Sequence, residues 1–328
     1  MWFLITYTLF LFSAIKAKDW GSSFNVEHNN ACSSVDGKLP SPYYCPYGTR
    51  NDTRLQVEYR LYSYRWGNEY QYILLDENAE PVDPGKKVDL AGAPLKVITH
   101  GWIASADDPS VALIKDAYLN TRHCNIIAVD WRLMANTCYC QAVVNVKIVG
   151  KSIARFLDAV NMRYGVGGGD MHLIGHSLGA HVVGIAAWRT SFLINRVTGL
   201  DPAFPIFEVP FLYPPEERID SACAAFVDII HTCGGLMGFV RPIGHLDFYP
   251  NSGMLIQPSC IHSLDPLSCS HAKSYEYYVE TIYTTKAYPS VRCVSWDSFL
   301  EGECQYNHYT YMGEGADLHY IGQYYLFI

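Results

Sequence analysis

The sequence predicts one α/β domain built on a mostly parallel sheet with helices on both faces. Short apolar runs alternate with longer amphipathic ones from residue 95 onward, the texture of repeated β-α-β units. Composition allows the large core such a sheet needs: of 328 residues, 49% are hydrophobic and 14% aromatic. Charge points the same way by exclusion. Twenty-four basic against thirty-two acidic residues give −8 without a like-charge block, so no nucleic-acid partner and no polybasic anchor is expected.

Along the chain, the first seventeen residues, MWFLITYTLFLFSAIKA, form an apolar run ending in small residues. This reads as a signal peptide cleaved near Ala17 or Lys18, too short for the roughly twenty residues that span a bilayer. Residues 18–328 are then expected to be a single secreted, soluble domain. Eleven cysteines suit an oxidising compartment, and the odd count leaves at least one thiol unpaired or bonded to another chain. Asn51-Asp52-Thr53 is a glycosylation sequon.

Residues 18–70, rich in Gly, Asn, Pro and Tyr, read as an irregular leader and then an edge strand near 55–62. LKVITHGW (95–102), NIIAVDW (125–131), MHLIG (171–175), NRVTGLD (195–201) and FVDIIHT (226–232) read as buried parallel strands. Between them, 107–120, 141–165 and 178–189 place apolar residues at helical spacing. After Asp247 the pattern loosens into loops, a helix near 272–283 and a Tyr-rich tail.

Chemistry concentrates at Gly175-His176-Ser177-Leu178-Gly179, between the strand 171–174 and the helix that follows. A serine on such a tight strand-to-helix turn exposes its hydroxyl at the carboxyl edge of the sheet, and side chains at the flanking glycines would collide with strand and helix. The hydroxyl needs a base and an orienting carboxylate, which in this architecture follow in the order serine, acid, histidine. Asp201, at the end of the next strand and before Pro202, is the preferred acid. Asp228 and Asp247 lie inside strand-like runs and suit buried hydrogen bonds. For the base, His231, His245, His262, His271, His308 and His319 all remain open on order alone.

GHSLGAH (175–181), GLDPA (199–203), FVDIIHT (226–232), GHLDFYPNSG (244–253) and CSHAKSYEYY (269–278), in that order, closely resemble the pancreatic lipase family, especially secreted insect-type lipases and phospholipases A1. The resemblance runs from about residue 95 to 283, and it implies an α/β-hydrolase fold. It marks Ser177 as nucleophile, Asp201 as acid and His271 as base, with Trp102 and Leu178 supplying the oxyanion hole through their N–H groups. His245 and Asp247 fall in a family motif that is structural rather than catalytic, and His231 ends a core strand. No cofactor is implied. The family's calcium loop is altered: Arg218 and Asp220 match, but Cys223 stands at an acidic position, so no metal is assigned. The second, colipase-binding domain of pancreatic lipase has no counterpart motif, so a colipase-independent monomer acting at a membrane or micelle interface is expected.

Cys260 with Cys269 and Cys293 with Cys304 are expected to pair. In the family the first of these loops is the lid, here only Ile261–Ser268. So short a lid favours phospholipase A1 over neutral triacylglycerol lipase. The apolar segment 202–225, with Phe204, Ile206, Phe207, Phe211, Leu212 and Tyr213, pulls the other way by offering acyl-chain contacts. A non-catalytic yolk-protein-like binder is the remaining alternative.

Overall fold

β-Branched runs set the frame. The computed structural model describes Val57–Ile328 apart from residues 67–68, 76–80, 83–89 and 91. The signal-peptide reading, the leader cysteines and the Asn51 sequon lie outside the described residues. The main sheet begins with β1 (Glu58–Ser63) and β2 (Tyr70–Tyr72), while β3 (Leu74–Leu75) and β4 (Pro81–Val82) pair separately. Then follow β5 (Leu95–Thr99), α1 (Pro109–Thr121), β6 (Asn125–Asp130), α2 (Arg132–Ala135), α3 (Tyr139–Tyr164), β7 (Met171–His176), α4 (Leu178–Arg189), β8 (Arg196–Leu200) and β9 (Phe226–Ile230). The chain closes with β10 (Leu246–Pro250), α5 (Pro266–Tyr283), β11 (Pro289–Arg292), α6 (Trp296–Leu300), β12 (Tyr309–Tyr311) and β13 (Gly322–Leu326).

The sheet order is β12-β11-β13-β10-β9-β8-β7-β5-β6-β1-β2. The strands from β13 to β6 run parallel, and antiparallel strands flank them on both sides. Alternation along each strand feeds two cores. Leu95, Val97, Ile127, Val129, Met171 and Leu173 face α3 and α4, whereas Ile98, Ile126, Ala128 and Ile174 face α1 and α5. Burial on both faces is why these strands read as continuous apolar runs. Helix α4 is apolar nearly all round and correspondingly buried. This is the mostly parallel α/β sheet with helices on both faces that the sequence predicts.

Three expectations need correction. The strand near 55–62 is not an edge, because β2 pairs along its outer side through Arg60↔Tyr72 and Tyr62↔Tyr70. The tail is not loop: β11, β12 and β13 extend the sheet, with β13 parallel to β10. Tyr and Thr suit strands, but these three run only three to five residues each, and their partners are supplied by the rest of the fold. Glu314 locks the tail down by accepting from Lys96 (3.1 Å), Tyr118 (2.7 Å) and Tyr278 (3.1 Å). Finally, α5 begins at Pro266, not near 272, with the Asp265 carboxylate accepting from Ser268 N–H at 3.0 Å. His271 therefore sits on a helix.

Candidate active site

The turn after β7 holds Ser177 at φ 58°, ψ −124°, a conformation costly for a non-glycine residue. Hydrogen bonds from Ser177 N–H to Leu200 O (3.0 Å) and from Ala203 N–H to Ser177 O (3.2 Å) hold it there. The glycines on either side are needed for space. A Cβ on Gly175 would lie 2.2 Å from Gly179 O, and one on Gly179 would lie 2.5 Å from His100 O. Gly101, leaving β5, packs its backbone against the serine: a Cβ there would lie 2.8 Å from Ser177 Cβ and 3.3 Å from Oγ.

Asp201 closes β8, also at positive φ (47°), with its N–H donated to Ile230 O at 2.8 Å. Its carboxylate is fully buried, which is tolerable only because both oxygens are satisfied. Oδ1 accepts the N–H groups of Thr232 (2.8 Å) and Cys233 (3.1 Å), and Oδ2 lies 2.5 Å from His271 Nδ1. With the acid as acceptor, Nδ1 carries the proton and Nε2 presents its lone pair. That Nε2 is buried and has no hydrogen-bond partner among the described residues. Ser177 and His271 line one cleft of about 320 Å³ with Gly101, Trp102, Tyr139 and Tyr275.

His176 packs its ring 4.4 Å from that of His271 and donates Nε2–H to the His271 carbonyl at 3.2 Å. Burial first, then the neighbouring imidazole, hold its pKa well below the usual range, so it stays neutral beside the base. Trp102 lines the cleft and donates its indole N–H to Thr137 O at 2.8 Å, edge-on to Tyr139. Leu178 is the first residue of α4, where an N–H has no acceptor within the helix.

Asp228, Asp247, His231, His245 and His319 are engaged elsewhere, and the His308 ring stacks on Tyr320. Asp228 takes Arg196 in a two-pronged pair (2.9 and 2.8 Å) and Thr198 at 2.8 Å. Asp247 accepts from His231 Nε2 (2.9 Å) and from the N–H groups of Ile243 and Gly244. His245 accepts from Val227 N–H. His181 is buried against Ala203 O, and burial lowers its pKa to about 3. Arg218 pairs with Asp220 at 2.8 Å beside the buried Cys223.

Cys260–Cys269 and Cys293–Cys304 are disulfide-bonded, as expected. Cys223 and Cys233 are buried and not bonded to each other. In the short loop Leu264 is fully exposed and Ile261 is 59% exposed. The acyl-contact expectation for 202–225 needs correction. Ala203 and Pro205 line the cleft, whereas Phe207 is a core residue stacked on His181 at 3.8 Å and Phe211 points into solvent. What the sequence did not announce is the acid's cradle. Thr232 and Cys233 act through backbone amides, and Gly238 approaches so closely that a Cβ would lie 2.1 Å from Asp201 Oδ1.

The chain matches the Lipase family model over residues 45–319. It is 31% identical over 302 residues to the pancreatic triacylglycerol lipase of Myocastor coypus, covering 83% of this chain and 64% of that one. It is 34% identical over 272 residues to the inactive pancreatic lipase-related protein 1 of Homo sapiens, covering 76% and 56%. A solved alpha/beta hydrolase enzyme from a deep-sea metagenome library aligns at 14% identity, TM-score 0.35, over 55% of this chain and 65% of that chain. The chain spans less than two thirds of the length of these curated relatives.

Proposed function

The chain belongs to the pancreatic lipase family, and from that premise we propose that it hydrolyses carboxylic esters of lipids through an acyl-enzyme on Ser177. One observation carries the reading: His271, oriented by buried Asp201 at 2.5 Å, has no partner for Nε2 among the described residues and lines the same cleft as Ser177. In the mechanism, Nε2 takes the Ser177 proton as Oγ attacks the ester carbonyl. The N–H groups of Trp102 and Leu178 hold the oxyanion, and the imidazolium returns its proton to the leaving alcohol. Water then attacks the acyl-enzyme with His271 again as base, so the cycle uses no cofactor.

Family membership alone does not decide activity, since a relative at 34% identity is described as inactive. For substrate, we favour phospholipase A1 action, release of the sn-1 acyl chain. Ile261–Ser268 is too short for an amphipathic lid helix that could cover the cleft and spread on an oil droplet. Neutral triacylglycerol lipase is the second reading, favoured by the named activity of the coypu relative. Sn-1 fatty acid release from phospholipid, compared with release from long-chain triacylglycerol in matched micelles, separates the two. Faster triacylglycerol hydrolysis reverses the assignment. Secretion is part of the proposal, supported by the apolar residues 1–17 and by two disulfides.

A further inference from the structure

Gln257 is fully buried, and every one of its polar groups is engaged. Its Nε2 donates toward three carbonyls, those of Pro250 (3.1 Å), Thr232 (3.2 Å) and Met254 (3.3 Å). Its Oε1 accepts from Asn251 Nδ2 (3.0 Å) and Tyr277 OH (3.4 Å). The backbone N–H donates to Ser270 Oγ at 3.0 Å, and the backbone carbonyl accepts from Cys260 N–H. The partners come from distant parts of the chain: Thr232 ends the β9 segment, whereas Ser270 and Tyr277 are on α5. A local turn would not need such reach.

The two sides of this hub are the two halves of the Asp201–His271 pair. The Thr232 carbonyl and the Cys233 N–H belong to one planar peptide unit, so they point in opposite directions. Gln257 holds the oxygen end of that unit at 3.2 Å, and the hydrogen end donates to Asp201 Oδ1 at 3.1 Å. Pinning one end fixes the rotation of the other, and the chain of bonds polarises the amide toward the carboxylate. On the opposite side, Ser270 directly precedes His271, and Tyr277 lies further along the same helix. We propose that Gln257 is a positioning residue that sets the alignment of Asp201 with His271, by tying the acid's peptide cradle to the base's helix. The inference rests on the reading of these two residues as acid and base. An apolar side chain of equal length would fill the volume but could not stop the Thr232–Cys233 peptide from rotating.

The test uses Gln257→Met, which keeps length and removes every side-chain hydrogen bond, and Gln257→Glu, which turns three donor contacts into repulsion of carbonyl oxygens. Two readouts are taken on folded protein: kcat and KM on a soluble short-chain ester, and the downfield proton resonance of His271 Nδ1–H. The expected result for Gln257→Met is a kcat reduced about 100-fold with KM changed less than about twofold, and a shifted or broadened resonance. Wild-type kcat with an unmoved resonance overturns the proposal. Should Gln257→Met not fold, the double variant Ser270→Ala/Tyr277→Phe cuts both side-chain links to α5, and an unchanged kcat and resonance there overturns it equally. If the wild type itself hydrolyses no ester, the functional reading has failed, and the resonance comparison still decides the positioning role.

Discussion

Replacing Gly238 by Ala puts one methyl group against the buried carboxylate. The added Cβ would lie 2.1 Å from Asp201 Oδ1 and 2.5 Å from its Cγ, where ordinary contact begins at 3.4 Å. Asp201 cannot retreat as a whole, because its backbone is held at φ 47° by the bond to Ile230 O. The carboxylate must instead move by about 1 Å, off the Thr232 and Cys233 amides and away from His271 Nδ1. Misplacement of this size in a catalytic array costs about 100-fold in rate. Overpacking adds about 1–3 kcal/mol of destabilisation, within what a domain of this size survives. Gly238 is not in the left-handed region, so the effect is steric rather than one of backbone strain. The assay is kcat/KM on a soluble ester beside thermal unfolding. A folded Gly238→Ala protein with wild-type kcat/KM would refute the claim that the acid's cradle controls the site.

His271→Ala should lower kcat by at least about three orders of magnitude with folding retained, and Asp201→Asn should cost somewhat less, both read from steady-state rates. Replacing Cys260 and Cys269 by Ser opens a short loop and should lower stability by about 2–3 kcal/mol, measured by urea unfolding. His172 and His181 are buried as neutral rings, with pKa values lowered chiefly by burial. The unfolded chain protonates them below pH about 6.5 while the folded chain does not, so stability falls as pH drops through that value. Each contributes up to about 1.4 kcal/mol per pH unit, and His181→Gln should flatten the slope of unfolding free energy against pH between 6.5 and 5 by that amount.

The centre of the fold was legible because its strands are buried on both faces, so their apolar runs are local signals that need no partner to be read. The serine turn was legible for a similar reason: Gly175 answers the backbone of Gly179 within the same short segment, although Gly179 itself makes room for the His100 backbone leaving β5. Asp201 could be picked from its place at a strand end. His271 could not, since it meets Asp201 across 70 residues and order left six histidines open. Only the family resemblance singled it out, although Asp265-Pro266 already marked the helix that carries it. Thr232 and Cys233 left no signature at all because they act through main-chain N–H groups, which every residue but proline has. Tail strands were missed because their pairing is supplied by β10, an element far away in sequence.

Covalent labelling tests the central claim most directly. Folded protein is incubated with an excess of a serine-directed alkyl phosphonate, and peptides are mapped by mass spectrometry. The account predicts one adduct per chain, on the peptide containing Ser177, absent from Ser177→Ala and formed far more slowly in His271→Ala. Absence of any adduct on protein shown to be folded would contradict it and leave a lipid-binding protein with the shape, but not the chemistry, of an esterase.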